Sequence, residues 1–242
     1  MNILIVNDDG IEAKGLAIMT KAAANFGSVY IAGPHDEKSA QSQSITIKGP
    51  ITVHPTESRL GVVEGLSVEG TPVDALRIAL KVFDVEFDLV ISGINHGANL
   101  AYDVSYSATV ACAFEAALHK IPALAFSADD IHSPYIYDET VKLLDEILTT
   151  KLYTSAQVLN INFPKATFQK SLGTKVTILG KRQYHTEFIK MAGTNKYNLS
   201  SSTTYFVEKE NTDVYAFEHG CVSITPLQID RTDLTAIKKI KI

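Results

Sequence analysis

The run Ile3-Leu4-Ile5-Val6 is apolar at every position, without the alternation of a strand that has one wet face. Such a strand is buried on both faces, as in a parallel sheet covered by helices on either side. It stops at Asn7-Asp8-Asp9-Gly10, and from Glu12 onward Leu16, Met19, Ala23 and Phe26 recur at helical spacing. That spacing predicts a helix ending near Gly27. Val29-Tyr30-Ile31-Ala32 then reads as a second strand, closed by Gly33-Pro34. Strand, helix and strand within roughly 30 residues is the size of a βαβ unit.

The alternation continues. Thr71-Pro72-Val73-Asp74 opens a helix, with Thr71 as cap, Pro72 at the first helical position and Asp74 answering the cap. Residues 88–92 predict a strand leading into the glycine-rich segment from Gly93 to Asn99. A small-residue helix over 109–119, a strand over 123–127, a helix over 137–148 and a strand over 158–162 follow. This pattern predicts a three-layer α/β core over residues 1–165 with a mostly parallel sheet. A small β excursion is expected at about 39–65, where Ile45, Ile47, Ile51 and Val53 alternate as in a hairpin or bent strand pair before Gly61. Beyond Pro164, residues 176–179, 203–207, 214–217 and 222–225 are strand-like, so a β-rich extension is expected over 166–242. Such a tail packs back on its core or crosses to a neighbouring subunit, and periodicity does not separate the two.

With 22 Lys and Arg against 27 Asp and Glu, the net charge is -5, which argues against a general nucleic-acid binder. The chain is 45% hydrophobic, enough for a sizeable core. Two cysteines, Cys112 and Cys221, make neither a disulfide framework nor a thiolate cage and fit a reducing, cytoplasmic setting. The first residues lack the basic start of a signal peptide, and the apolar stretches fall short of a membrane span, so no membrane partner is expected.

In an open α/β sheet, ligands bind beyond the carboxyl ends of the strands. Polar clusters sit at three such ends: Asn7-Asp8-Asp9-Gly10, the stretch from Pro34 to Ser39, and Ser92-Gly93-Ile94-Asn95. Asp8 and Asp9 diverge in an extended segment, but at a tight turn both approach one cation. With neutral oxygens from Ser39 and Asn95 they make a hard, oxygen-only site suited to Mg²⁺ or Mn²⁺. The plain alternative is a solvated turn. Ser105, Ser107 and Thr109 precede the small-residue helix, whose free N–H groups can receive a phosphate, with Gly93 and Gly97 nearby. Ordinary N-capping by Ser107 is the alternative there. His96 reads equally as a proton relay or a solvated loop residue. No G-x-S-x-G elbow, G-x-G-x-x-G turn or G-x-x-x-x-G-K-[ST] loop is present. Metal-assisted phosphate chemistry is the reading that survives.

Several segments resemble the SurE family of metal-dependent nucleoside monophosphate phosphatases. They are Asn7-Asp8-Asp9-Gly10, Gly70-Thr71-Pro72-Val73-Asp74, Ser92-Gly93-Ile94-Asn95 with Gly97 and Asn99, and Tyr106-Ser107 with Thr109-Val110. Asn160-Ile161-Asn162 with Pro164, Thr212-Asp213 and Ser223-Ile224-Thr225-Pro226-Leu227 complete the series in family order. The resemblance implies a Rossmann-like core and one divalent cation per subunit held by Asp8, Asp9, Ser39 and Asn95. It places phosphate against Asn95, His96, Ser107, Ala108 and Thr109, with Asp8, Asp9 and Asn95 as the catalytic groups. It further implies hydrolysis of nucleoside 5′- and 3′-monophosphates, and a homodimer or homotetramer that exchanges C-terminal elements. An exopolyphosphatase or other small-phosphate hydrolase, and a metal-gated nucleotide-binding module without turnover, are the rival readings. Tyr102, Tyr106 and His96 are candidates for base or ribose contact. Two departures stand out: Ala40 and Ala108 occupy positions where the family usually has glycine, and a Cβ there limits positive φ and narrows the approach to phosphate.

Overall fold

The computed structural model describes residues 1–56, 61–206 and 209–240. In chain order the elements are β1 (Asn2–Val6), α1 (Lys14–Ala23), β2 (Ser28–Pro34), β3 (Val53–Pro55), β4 (Val62–Val68), α2 (Pro72–Val82) and β5 (Leu89–His96). After a 3-10 turn over Ala101–Ser105 come α3 (Ala108–Leu118), β6 (Ala123–Ala128), α4 (Ile136–Thr149) and β7 (Val158–Asn162). The chain ends with β8 (Thr174–Val176), β9 (Lys181–Lys190), β10 (Tyr197–Phe206), α5 (Asp213–Glu218), β11 (Val222–Leu227) and α6 (Leu234–Ile237).

A 9-stranded sheet in the order β3-β4-β2-β1-β5-β6-β7-β11-β8 forms the middle layer. From β4 to β7 all neighbours run parallel, and β3 and β11 are antiparallel to β4 and β7. The uninterrupted apolar run of β1 is explained by its two faces. Ile3 and Ile5 join Leu16, Met19, Leu144 and Ile147 under α1 and α4. Leu4 and Val6 join Val73, Leu76, Val110 and Phe114 under α2 and α3. Strand order turns outward in both directions from the β1/β5 pair, the place where such sheets open a crevice.

The three-layer core is as expected, and two local expectations need correction. Residues 45–52 are not strand; β3 is short, and its partner β4 comes after Gly61, where Glu64 and Gly65 interrupt the apolar run that would have marked it. Residues 57–60, inside the expected excursion, and Val207, at the end of an expected strand, lie outside the described residues. The strand expected at 214–217 is the helix α5: Thr212 accepts the N–H of Tyr215 as an N-cap, overriding the β-propensity of Val214-Tyr215-Ala216-Phe217. The tail is β-rich but divided, with β8 and β11 extending the central sheet and β9 and β10 forming a separate antiparallel ribbon.

Gly15 lets α1 lie against β5, because a Cβ there would sit 1.8 Å from the carbonyl oxygen of Ile94. Gly15→Ala is therefore expected to destabilise the protein by about 1–3 kcal/mol in urea unfolding, although alanine is the better helix former. An unfolding midpoint equal to or above that of the parent would refute this account of the contact.

Candidate active site

The turn after β1 is closed by Asn7, whose Nδ2 donates to the carbonyl of Gly10 at 2.7 Å. Asp8 continues on the side of Leu4 and Val6. It is buried, and its Oδ1 accepts the hydroxyl proton of Thr109 at the start of α3. Asp9 turns the other way and accepts the backbone N–H of His96 on Oδ2 at 3.1 Å. The two carboxylates thus diverge, as adjacent residues of an extended chain must, yet both stand at the carboxyl ends of β1 and β5.

Burial pushes the Asp8 carboxyl up to about 6, opposed by the Thr109 hydrogen bond and reinforced by the charges of Asp9 and Glu37. Asp9 is also raised, first by burial and then by Glu37, against the lowering influence of His96. Glu37 was not singled out from sequence. Its signal was its place in the polar stretch between Pro34 and Ser39, and it also accepts the Ser39 hydroxyl at 2.6 Å.

Asn95 reaches the site through an irregularity in β5. The β5–β6 register shifts between Ser92 and Asn95, and Gly93 takes φ +123 where a Cβ would meet the Phe126 carbonyl oxygen at 2.2 Å. Asn95 Nδ2 then donates to the carbonyl of Gly97 at 2.7 Å, which fixes the plane of its amide. His96 is exposed, its ring 5.9 Å from that of His132, whose Nδ1 lies 2.8 Å from Lys14 Nζ.

The structure thus brings Thr109 to Asp8 and the backbone of His96, next to Asn95, to Asp9. Ser39 follows them through its backbone neighbour, the Lys38 N–H donating to the Asp8 carbonyl at 2.8 Å, while its own side chain is exposed and turned to Glu37. Ser107 caps α3, accepting the N–H of Val110 at 3.1 Å, and Thr109 spends its hydroxyl on Asp8. Ala108 is buried in the first turn of α3 with a helical backbone, so its methyl group imposes no positive-φ strain. Ala40 is the opposite case: it sits at φ 57, the left-handed region that glycine occupies freely. Tyr102 and Tyr106 are both exposed beside the α3 start.

Residues noted earlier only as matching segments prove to be supports. Asn99 takes the Asn162 carboxamide oxygen on its N–H at 2.8 Å, donates Nδ2 to Ser127 at 2.8 Å, and gives its carbonyl to Asn160 Nδ2 at 2.9 Å. Buried Asp213 accepts the N–H groups of Ala101 and Gly180 at 2.8 and 2.7 Å. Both clamps hold the segment between Asn95 and α3 against the sheet.

Among the described residues no group of three or more His, Cys, Asp and Glu side chains is disposed to hold a metal. The donors present are two carboxylates raised by burial and by like charge, with Asn95 on β5 one residue before the His96 N–H that meets Asp9. Oxygen donors carrying uncompensated negative charge fit a hard divalent cation.

A family model described as Survival protein SurE matches residues 3–186. The chain is 34% identical to the 5′-nucleotidase SurE of Alkaliphilus metalliredigens, covering 100% of this chain and 98% of that protein. It is 36% identical to the 5′-nucleotidase SurE of Actinobacillus pleuropneumoniae serotype 5b, covering 100% and 99%. The crystal structure of the SurE protein from Aquifex aeolicus superposes with a TM-score of 0.83 at 30% identity, covering 100% of this chain and 98% of that one.

Two predictions follow from the geometry of the carboxylates and their loop. In metal-free protein, folded Asp8 keeps its proton up to about pH 6, whereas the unfolded chain releases it near the ordinary 3.8. Stability therefore falls as pH rises through that window and stays lower above it. Asp8→Asn removes this slope and is expected to be more stable than the metal-free parent at pH 7.5, by about 2 kcal/mol, in urea titrations across pH. Parallel stability profiles for the two proteins would refute it. Ala40→Gly relieves left-handed strain of about 1–2 kcal/mol, partly offset by unfolded-chain entropy, so a gain of up to about 1 kcal/mol is expected in the same titration.

Proposed function

Because the chain belongs to the SurE family, we propose that the crevice beyond β1 and β5 hydrolyses nucleoside monophosphates to nucleoside and phosphate. The observation that carries this reading is the pair of desolvated carboxylates in the turn after β1, one meeting the end of β5 and the other the start of α3. Both 5′- and 3′-esters fall within the proposed substrate range.

Asp8, Asp9 and Asn95 would hold one divalent cation per subunit, Mg²⁺ or Mn²⁺, with Ser39 joining them once its hydroxyl leaves Glu37. Such a cation supplies Lewis acidity at the phosphoryl group and lowers the pKa of water. The chain's own groups do the positioning. Thr109 pins Oδ1 of Asp8, which fixes the carboxylate plane while Asp8 or Asp9 orients the attacking water and accepts its proton. The second amide hydrogen of Asn95 and the hydroxyl proton of Ser107 donate to phosphoryl oxygens, and the first N–H groups of α3, at Ala108 and Thr109, have no carbonyl four residues back to claim them. His96, exposed and tied to Asp9 by its backbone N–H, is assigned to substrate contact on that side.

We assign the chain beyond residue 165 to association, as a homodimer or homotetramer that exchanges C-terminal elements. The support is the β9–β10 ribbon, which leaves Phe188 69% and Leu199 62% exposed. A cytoplasmic setting is supported by two free thiols, and among the described residues no helix is long and apolar enough to cross a membrane.

The test is phosphate release from nucleoside 5′- and 3′-monophosphates, with metal-stripped protein compared with protein resupplied with Mg²⁺ or Mn²⁺. Release is expected only with metal. Asp8→Ala and Asp9→Ala should each lose about 10²-fold or more in kcat while keeping the parent circular dichroism spectrum. Metal-dependent turnover retained in both variants would sink the assignment, and release from short polyphosphate alone would move it to phosphoanhydrides.

A further inference from the structure

A cleft of about 300 Å³ opens between the loop at Ser42 and Gln43, the end of the 3-10 turn, one side of α3 and the C-terminal segment. It shares Ser107 with the cap of α3, so it runs onto the helix start where the phosphate reading above places its anion. Its walls are of two kinds. Val104, Phe114 and Ile229 supply an apolar floor, and Ser42, Gln43 and Arg231 supply polar groups around it. An apolar floor with a planar cation and a few hydrogen-bonding groups suits a planar heterocycle better than a sugar or a second phosphate.

Ser42 and Gln43 are held in place, and Arg231 extends from an anchored tail. Ser42 donates its N–H to the Tyr106 carbonyl at 3.0 Å and its hydroxyl to the Ser105 carbonyl at 2.9 Å, tying the loop to the turn before α3. The N–H of Ile229 donates to Gln157 Oε1 at 2.8 Å, which anchors the tail two residues before Arg231. Gln43 Nε2 donates to Glu115 Oε2 at 2.9 Å. Glu115 is buried and also meets Arg77 and His119, so it is a carboxylate acceptor that admits only the NH₂ end of the amide. The Gln43 edge is thereby oriented, with one acceptor oxygen and one remaining N–H. That pair matches an exocyclic amino group beside a ring-nitrogen acceptor, the arrangement on adenine. Hypoxanthine carries a carbonyl where adenine carries the amino group, and mismatches it.

We propose, resting on the phosphatase reading, that this cleft seats the nucleobase, with the Arg231 guanidinium over its face and the Gln43 amide selecting adenine. Arg231 and Gln43 are then specificity-determining residues of a reaction whose chemistry is done elsewhere.

The experiment compares kcat/KM for AMP, IMP and ribose 5-phosphate, the last having the same ester without a base. The parent is expected to prefer AMP over IMP about tenfold, and Gln43→Ala to bring that ratio close to one. Arg231→Ala should lower the ratio of AMP to ribose 5-phosphate about tenfold, the scale of a lost stacking partner. An AMP-to-IMP ratio unmoved in the first variant, together with an AMP-to-ribose-5-phosphate ratio unmoved in the second, would overturn the proposal. If the parent releases phosphate from none of the three with either metal, it is the phosphatase reading that fails. AMP binding by titration calorimetry then decides the cleft: a Kd raised about tenfold in Arg231→Ala supports it, and an unchanged Kd overturns it.

Discussion

A carboxylate taken out of water needs a donor, a cation or a proton, and without one the cost is several kcal/mol. Asp8 is placed under that demand by the strand that precedes it. Leu4 and Val6 face the layer of α2 and α3, and Asp8 continues on that side, so its side chain arrives at the first turn of α3 rather than in solvent. Thr109 meets the demand in part with its hydroxyl, and burial with two neighbouring carboxylates leaves the remainder unmet. The strand, the helix and the loop carrying Glu37 are thus arranged around a charge deficit at a single point.

Much of this was legible beforehand, for identifiable reasons. The buried strands of the core reveal themselves because residues covered on both faces leave no polar gaps, as in β1. Asp8 and Asp9 stand out in the sequence because they follow such a strand, and Asn95 because it sits at the end of another, β5. What periodicity could not convey was the partner of each group. The Ser107 hydroxyl serves as a cap, the Thr109 hydroxyl belongs to Asp8, and Ser39 faces Glu37, and each of those pairings depends on loop geometry rather than on spacing. β4 escaped notice because an edge-ward strand tolerates Glu64 and Gly65. α5 was misread because Val214-Tyr215-Ala216-Phe217 favours strand by composition, and one capping hydroxyl decides otherwise.

The two substitutions at usual glycine positions separate in the same physical terms. Ala108 lies within a helix, where alanine is the most favourable residue, and costs nothing. Ala40 and Ser42 both hold left-handed conformations, at φ 57 and φ 50, on the loop that bears Ser39 and borders the cleft against α3. Strain retained at non-glycine residues in a loop beside two buried carboxylates is the kind that surrounding contacts must over-determine. The Ser42 bonds to Ser105 and Tyr106 are contacts of that sort.

The position of β11 carries a consequence for how the chain is made. It fills the place beside β7, pairing Ile224 with Ile161 and Thr225 with Asn160, and β8 in turn pairs with it. During synthesis everything from β1 to β7 leaves the ribosome first, while the outer edge of β7 waits through the whole β9–β10 ribbon for its neighbour. An open edge of that kind is a template for another nascent chain. The interval between translating β7 and translating β11 is therefore when this protein is most exposed to mispairing, and when a chaperone has most to protect.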